Sequence, residues 1–408
     1  MGVLGLLKEA KEAFHEMEWG RLAKITKEIT DLTPDEPVKG LASGFYFYAS
    51  AKLAKEPENV ILALDKASSF FKGVDAHLAS LADIERLILL AGFDKKNEGL
   101  HLRELGELTQ GLFIKTGDVA NLQLAIESFN RAKEHFRGKE LAQIVLDLQF
   151  CHGSNAGQCD NPLEAFGEVI KLKGEVKTKE KAIIACSNMN VAIAYHNLAF
   201  LKGEPASIKE AIKLTQEAIS TFEAIGQKPE IVRAKQTLAN ILMDGAALDA
   251  KNTKKHMEGA ILLKKEVVDI FLSDGFDIDA AYEDMSIGVA YFEFATCDSA
   301  SCDGHFKNAI NHFNAACEIF EKEEVPEGLA PAKAGIAAVH KNQENLEEAA
   351  RIYEEALEIF SEPIFTGHTK QNLAEVYHEM AKATGNKDHE SRAKKLKKEA
   401  KKLLSAKS

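Results

Sequence analysis

Runs of β-branched residues alternating with a two-residue period are missing from this sequence, and only 9 of its 408 residues are proline. With abundant Ala, Leu, Glu and Lys, that excludes a mainly β fold and favours helix. Cysteine is equally scarce. Cys151, Cys159, Cys186, Cys297, Cys302 and Cys317 are too few for a disulfide-built scaffold, and most are expected to be small apolar fillers. No apolar run approaches the ~20 residues of a bilayer-spanning helix. The N-terminal stretch has no basic leader before its short apolar segment, and Leu6 stands where a myristoylation signal needs Ser or Thr. An excess of positive charge is also lacking. The formal net charge of −12 argues against a general nucleic-acid binder. A cytoplasmic chain without membrane attachment is the default expectation.

What is present is a repeat. The chain exceeds the length at which one core usually stops growing, so it must divide into domains or stacked units. Near the C-terminus, Ala349, Ala350, Tyr353, Ala356 and Phe360 fall within roughly 120° of arc on a helix turning about 100° per residue. The same register recurs in Ala309, Ile310, Phe313, Ala316, Phe320 and in Ala211, Ile212, Thr215, Ala218, Phe222. Looser copies run through Ala260, Ile261, Lys264, Val267, Phe271 and Ala125, Ile126, Phe129, Ala132, Phe136. Ala165 to Val176 is degenerate, and Val60, Ile61, Leu64, Ala67 and Phe71 still fit. The long gap between Phe71 and Phe136 predicts one extra helix over about residues 76–93.

Each such helix follows another with its own mark, an apolar residue, a small residue and often an aromatic three positions on. Val191-Ala192 with Tyr195, Ile287-Gly288 with Tyr291, Ile336-Ala337 with His340 and Leu373-Ala374 with Tyr377 carry it; Leu105-Gly106 and Leu238-Ala239 lack the aromatic. A small residue lets two helices approach closely, and the aromatic fills the space beside them. Helix breakers fall between these segments: Pro34 and Pro37, Gly117-Asp118, Asn161-Pro162, Gly203 to Pro205, Gly226 to Pro229, Pro326 and Gly385-Asn386.

This small-residue contact followed by an Ala-aromatic-Ala pattern resembles the tetratricopeptide repeat family. Residues 326–361 match it best, and most other repeats are similar to its longer-helix variants. The resemblance implies an all-α fold, a right-handed α-α superhelix (solenoid) of about nine antiparallel helix pairs. Residues 1–75 would form weakly related N-terminal pairs, 76–386 the solenoid and 387–408 a basic capping helix. That last stretch carries nine basic against three acidic residues, with Ala393, Leu396, Ala400, Leu403 and Leu404 on one stripe.

The resemblance further implies that a protein or peptide partner lies on a concave surface lined by the first helices. Offsets of −5, −2, +2 and +5 from the apolar contact residue point opposite it. They select Cys186, Met189, Ile193 and His196, then Arg233, Gln236, Asn240 and Met243, then Tyr282, Met285, Val289 and Phe292. The apolar members would anchor an extended or helical segment while Arg233, Gln236 and Asn240 bond its backbone or a carboxylate. The competing reading buries this stripe against an inserted loop or the superhelix itself. Some relatives clamp a terminal carboxylate with Lys and Asn one turn apart. Here Gln236 with Asn240 and Gln371 with Glu375 take those places, so the clamp does not transfer.

Signs of other chemistry are scattered. Glu12 with His15, Glu98 with His101 and Glu375 with His378 have di-iron spacing but lie in distant repeats, so no metal is expected. Cys297 and Cys302 with His305, and Cys151-His152 with Cys159, leave a local disulfide or zinc open. No phosphate loop, zinc-protease helix or nucleophile elbow occurs. A non-enzymatic scaffold or adaptor without cofactor is the expectation, a peptide- or ligand-sensing regulator the alternative, and a helical-repeat enzyme the third reading. Oligomeric state is left open.

Overall fold

The computed structural model describes residues 3–33, 36–298, 301–359 and 362–405. Nineteen α-helices and one 3-10 turn make up the secondary structure, with no strand among the described residues. They fall into two compact units, residues 1–194 and 195–408.

The first unit contains α1 (Val3–His15), α2 (Trp19–Leu32), α3 (Glu36–Leu53), α4 (Pro57–Lys72), α5 (Ala76–Phe93), α6 (Glu98–Thr116), α7 (Val119–Ala132), α8 (Gly138–Asn155), α9 (Pro162–Leu172) and the start of α10 (Lys181–Lys202). The second runs from the end of α10 through α11 (Pro205–Ile225), α12 (Lys228–Leu248), α13 (Thr253–Ser273), α14 (Asp277–Cys297), α15 (Cys302–Lys322), α16 (Pro326–Asn342), α17 (Leu346–Ile359), α18 (Pro363–Thr384) and α19 (Lys387–Ser405). Within each unit, successive helices pack on one another. Their short connections reverse the chain direction from one to the next. Read in order they make nine pairs plus α5, the helix predicted over 76–93.

Turn chemistry sets the ends. Gly117 closes α6 at φ 71°, a left-handed conformation costly for other residues, and its N–H reaches the Phe113 carbonyl at 2.7 Å. Pro162, Pro205 and Pro326 stand in first turns, where no helical N–H is lost. Pro37, expected as a breaker, also sits in a first turn, that of α3. Pro34 and Phe360 lie outside the described residues.

The second-helix register is the core. Phe129, Phe222 and Phe320 are fully buried, as are Ala125, Ala211, Ala218, Ala309 and Ala316 of the same register. The small residues of the first helices meet these rings. A Cβ on Gly106 would come within 2.7 Å of the Phe129 ring, and one on Gly288 within 2.8 Å of Phe313. Gly335 faces Phe313 as well, at 2.6 Å. A methyl group would not fit either contact without displacing a core ring.

The terminal helix α19 buries Ala393 and Ala400 and leaves its lysines exposed. It is tied to α18 by Lys370 Nζ donating to Glu399 Oε2 at 2.6 Å and by Arg392 Nη1 donating to the Tyr377 hydroxyl at 2.6 Å.

Candidate functional site

In the second unit the expected face is built from α12, α14 and the end of α10, and its composition differs from the apolar stripe read from the sequence. Tyr282 and Val289 are exposed, at 38% and 40%. Met243 packs partly against the core beneath α12 and α14, and Met285 and Phe292 pack partly against the core of the later helices. In the first unit Cys186 is half-buried and Ile193 is 40% exposed, whereas Met189 is 1% exposed. Met189 is therefore a core side chain and not a surface anchor. The offset rule assumes that a helix is covered on one side only, and a helix with several neighbours buries more than a single stripe.

The polar residues are engaged inside the protein. Arg233 Nε donates to Glu230 Oε2 at 2.9 Å, one turn away on the same helix. His196 Nε2 lies 2.9 Å from Asp244 Oδ2, joining the end of α10 to α12. Gln236 Nε2 donates to Glu283 Oε2 at 3.0 Å, and Asn240 Oδ1 accepts from Lys264 Nζ at 3.4 Å.

Behind the last two contacts lies a buried ion pair. Lys264 Nζ sits 3.1 Å from Glu283 Oε1 and donates to Ser286 Oγ at 2.8 Å, the two charged side chains being 3% and 9% exposed. In the repeat register Lys264 occupies the place of Phe129, Phe313 and Tyr353, so a core layer has become ionic. The pair also orients the amides. An ammonium only donates and a carboxylate only accepts. Asn240 therefore turns its oxygen to Lys264 and has its NH₂ group left over, while Gln236 turns its NH₂ to Glu283 and has its oxygen left over. Donor and acceptor are thus paired on adjacent turns of α12.

The same offsets applied to Leu105-Gly106 select Leu100, Arg103, Glu107 and Gln110, a signal already present in the sequence. Arg103 and Glu107, joined at 2.8 Å, line a cleft of about 620 Å³ with Lys139, Glu140, Gln143 and Asp147 of α8. Burial raises the Asp147 pKa to about 6, opposed by a hydrogen bond from Gln143 Nε2 at 3.3 Å and assisted by the charge of Glu107. Because the folded-state pKa lies above the unfolded one, the folded protein holds the proton more tightly. Stability is gained below the unfolded value near pH 4 and is lost as the pH rises through about 6. Replacing Asp147 with Asn is expected to raise stability at pH 7 by on the order of 2 kcal/mol and to flatten the pH dependence between 4 and 6. Urea denaturation at pH 4, 5, 6 and 7 reads this directly.

All six cysteines are free thiols. Cys151 lies inside α8, which runs on to Asn155. It is buried with its pKa pushed up to about 12, chiefly by burial, and Cys159 follows in the connection. Cys297 ends α14 and Cys302 begins α15. No group of three or more metal-ligating side chains occurs among the described residues. Among the same residues no helix is long and apolar enough to cross a membrane.

No protein-family model and no curated protein matches the chain. Solved structures do. A Signal Transduction ATPase with Numerous Domains (STAND) protein with a tetratricopeptide repeat sensor, from Pyrococcus horikoshii, is similar over 95% of this chain and 53% of its own, at 13% identity and a TM-score of 0.53. The chain thus spans about half the length of that protein. BtubC from P. vanneervenii is similar over 62% of this chain and 91% of its own, at 14% identity and a TM-score of 0.42. A Rap protein complexed with Competence and Sporulation Factor is similar over 98% and 99%, at 12% identity and 0.39. Scores this low for the latter two carry no weight here. Consecutive packed helices, the recurring contact of small residue and ring, and the first of these likenesses together give the chain the fold of a tetratricopeptide-type helical repeat protein.

Proposed function

We propose that this chain is a binding protein, a scaffold or adaptor that holds a protein or peptide segment across α12 and α14. The observation that carries the reading is the Gln236 and Asn240 pair, whose amides are fixed from beneath by a buried ion pair and flanked by exposed Tyr282 and Val289. Groups already oriented lose little freedom on binding, so a ligand gains more from each contact. A second reading, a ligand-sensing regulator, draws on the similar P. horikoshii protein, whose repeat is called a sensor. No turnover is expected of the isolated chain.

Affinity purification from the native cell, with the wild-type chain and an Asn240→Leu/Val289→Glu variant as baits, tests the groove. Both substituted positions are exposed, so helix content should be unchanged. A reproducible set of co-purifying proteins present with the wild type and depleted at least tenfold with the variant is expected, since two contacts worth about 1 kcal/mol each exceed that factor. Equal recovery with both baits would remove the groove from consideration. A sensor would also change its small-angle scattering profile when the captured segment is added as a peptide.

A further inference from the structure

The helix that interrupts the pairing, α5, begins beside a largely apolar cavity of the first unit. Phe14 of α1, Leu41 and Phe45 of α3 and Leu78 of α5 are half-buried around about 360 Å³ of space, with Ala42 and Ile29 buried at its walls. The cleft opens to solvent at His15, which is exposed, and beside Asp75, which is half-buried. At about 30 Å³ for each water in the liquid, the volume corresponds to about a dozen non-hydrogen atoms.

Three polar residues stand among the apolar ones, Asp75, His15 and Thr26, and the Thr26 hydroxyl donates to the Leu22 carbonyl at 2.7 Å. Asp75 caps α5. Its Oδ1 accepts from the backbone N–H groups of His77 at 2.9 Å and Leu78 at 3.1 Å, and among the described residues Oδ2 takes no hydrogen bond or ion pair. The cavity thus combines an aromatic wall, Phe14 and Phe45 meeting edge to face at 5.1 Å, with the Asp75 carboxylate in its lining. We infer that it is a binding site for a small aromatic amine, the flat apolar body resting against Phe14 and Phe45 and the ammonium donating to Asp75 Oδ2. An anion would meet the Asp75 charge, and a neutral hydrocarbon would make no use of it. This site lies wholly in the first unit and is independent of the groove on α12 and α14.

Tryptamine has the required size and charge. Isothermal titration of the full chain with tryptamine should give one saturable site. Asp75→Asn keeps the helix cap, since Asn caps as well as Asp. This variant should weaken tryptamine about tenfold, the worth of one charge-assisted hydrogen bond, while 3-ethylindole binds both proteins alike. Indole-3-propionate should bind no better than 3-ethylindole. Ala42→Leu, which fills the cavity, should abolish binding of all three. No saturable tryptamine binding to the wild type, equal tryptamine affinity in wild type and Asp75→Asn, or undiminished binding in a folded Ala42→Leu variant would each overturn the assignment. If Ala42→Leu does not fold, the Asp75→Asn comparison decides by itself.

Discussion

Replacing Lys264 with Met is expected to cost about 3–5 kcal/mol, because it leaves the Glu283 carboxylate buried without its counter-ion. Glu283 is buried, and Gln236 alone would remain to bond it. The substitution conserves length and most of the volume, so the loss reports the charge and not a packing defect. Lys264→Met combined with Glu283→Leu should recover most of it and can exceed the wild type, since taking two ions out of water nearly offsets their attraction. Denaturation followed by circular dichroism gives the size of the effect. Hydrogen exchange gives its place, with protection falling first in α13 and α14. A single variant as stable as the wild type would show that water reaches Glu283. The double variant also frees Gln236 and Asn240 to rotate, so it should bind a groove ligand more weakly than the wild type at equal stability.

Phe313→Ala is expected to cost a comparable ~3–5 kcal/mol through the cavity it opens. The ring is 2% exposed and lies against Gly288 of α14 and Gly335 of α16, so it joins three consecutive helices. Both neighbours lack side chains that could swing into the space. Gly288→Leu should cost about 1–3 kcal/mol or more for the opposite reason, an overfilled contact. Combined, the two changes should cost less than their sum, because the new leucine occupies part of the volume the ring vacates. Additive losses in the denaturation midpoints would mean that Gly288 and Phe313 do not share one packing site. In a repeat stack each unit contacts mainly its neighbours, so hydrogen exchange should place the damage in α14 to α16.

The helices and their order were legible because burial in a repeat follows a local rule. Ala309, Phe313, Ala316 and Phe320 are spaced to bury one stripe of one helix, and that spacing is written in consecutive residues. The gap between Phe71 and Phe136 located α5 in the same way. The small residues at 106 and 288 could be read as close contacts, since a small residue lets two helices approach closely.

The binding face was legible in outline only. Its position on the first helices follows from periodicity, but which of its side chains stay open depends on every helix packed nearby. Met189 is buried, Met285 and Phe292 are half-covered, and Tyr282 and Val289 remain exposed, although all five satisfy the same rule. The lysine at 264 appeared as a loose copy of an aromatic position. That it pairs with Glu283, 19 residues on, and through it and Asn240 sets the amides of α12, is a contact between three helices that no single-helix period encodes. Sequence alone therefore determined the helical repeat, its register and its one interruption, because hydrophobic spacing along a helix is a local property. The tertiary structure alone decided which residues of the candidate face are available and what holds them, because exposure and ionic pairing are properties of the neighbours.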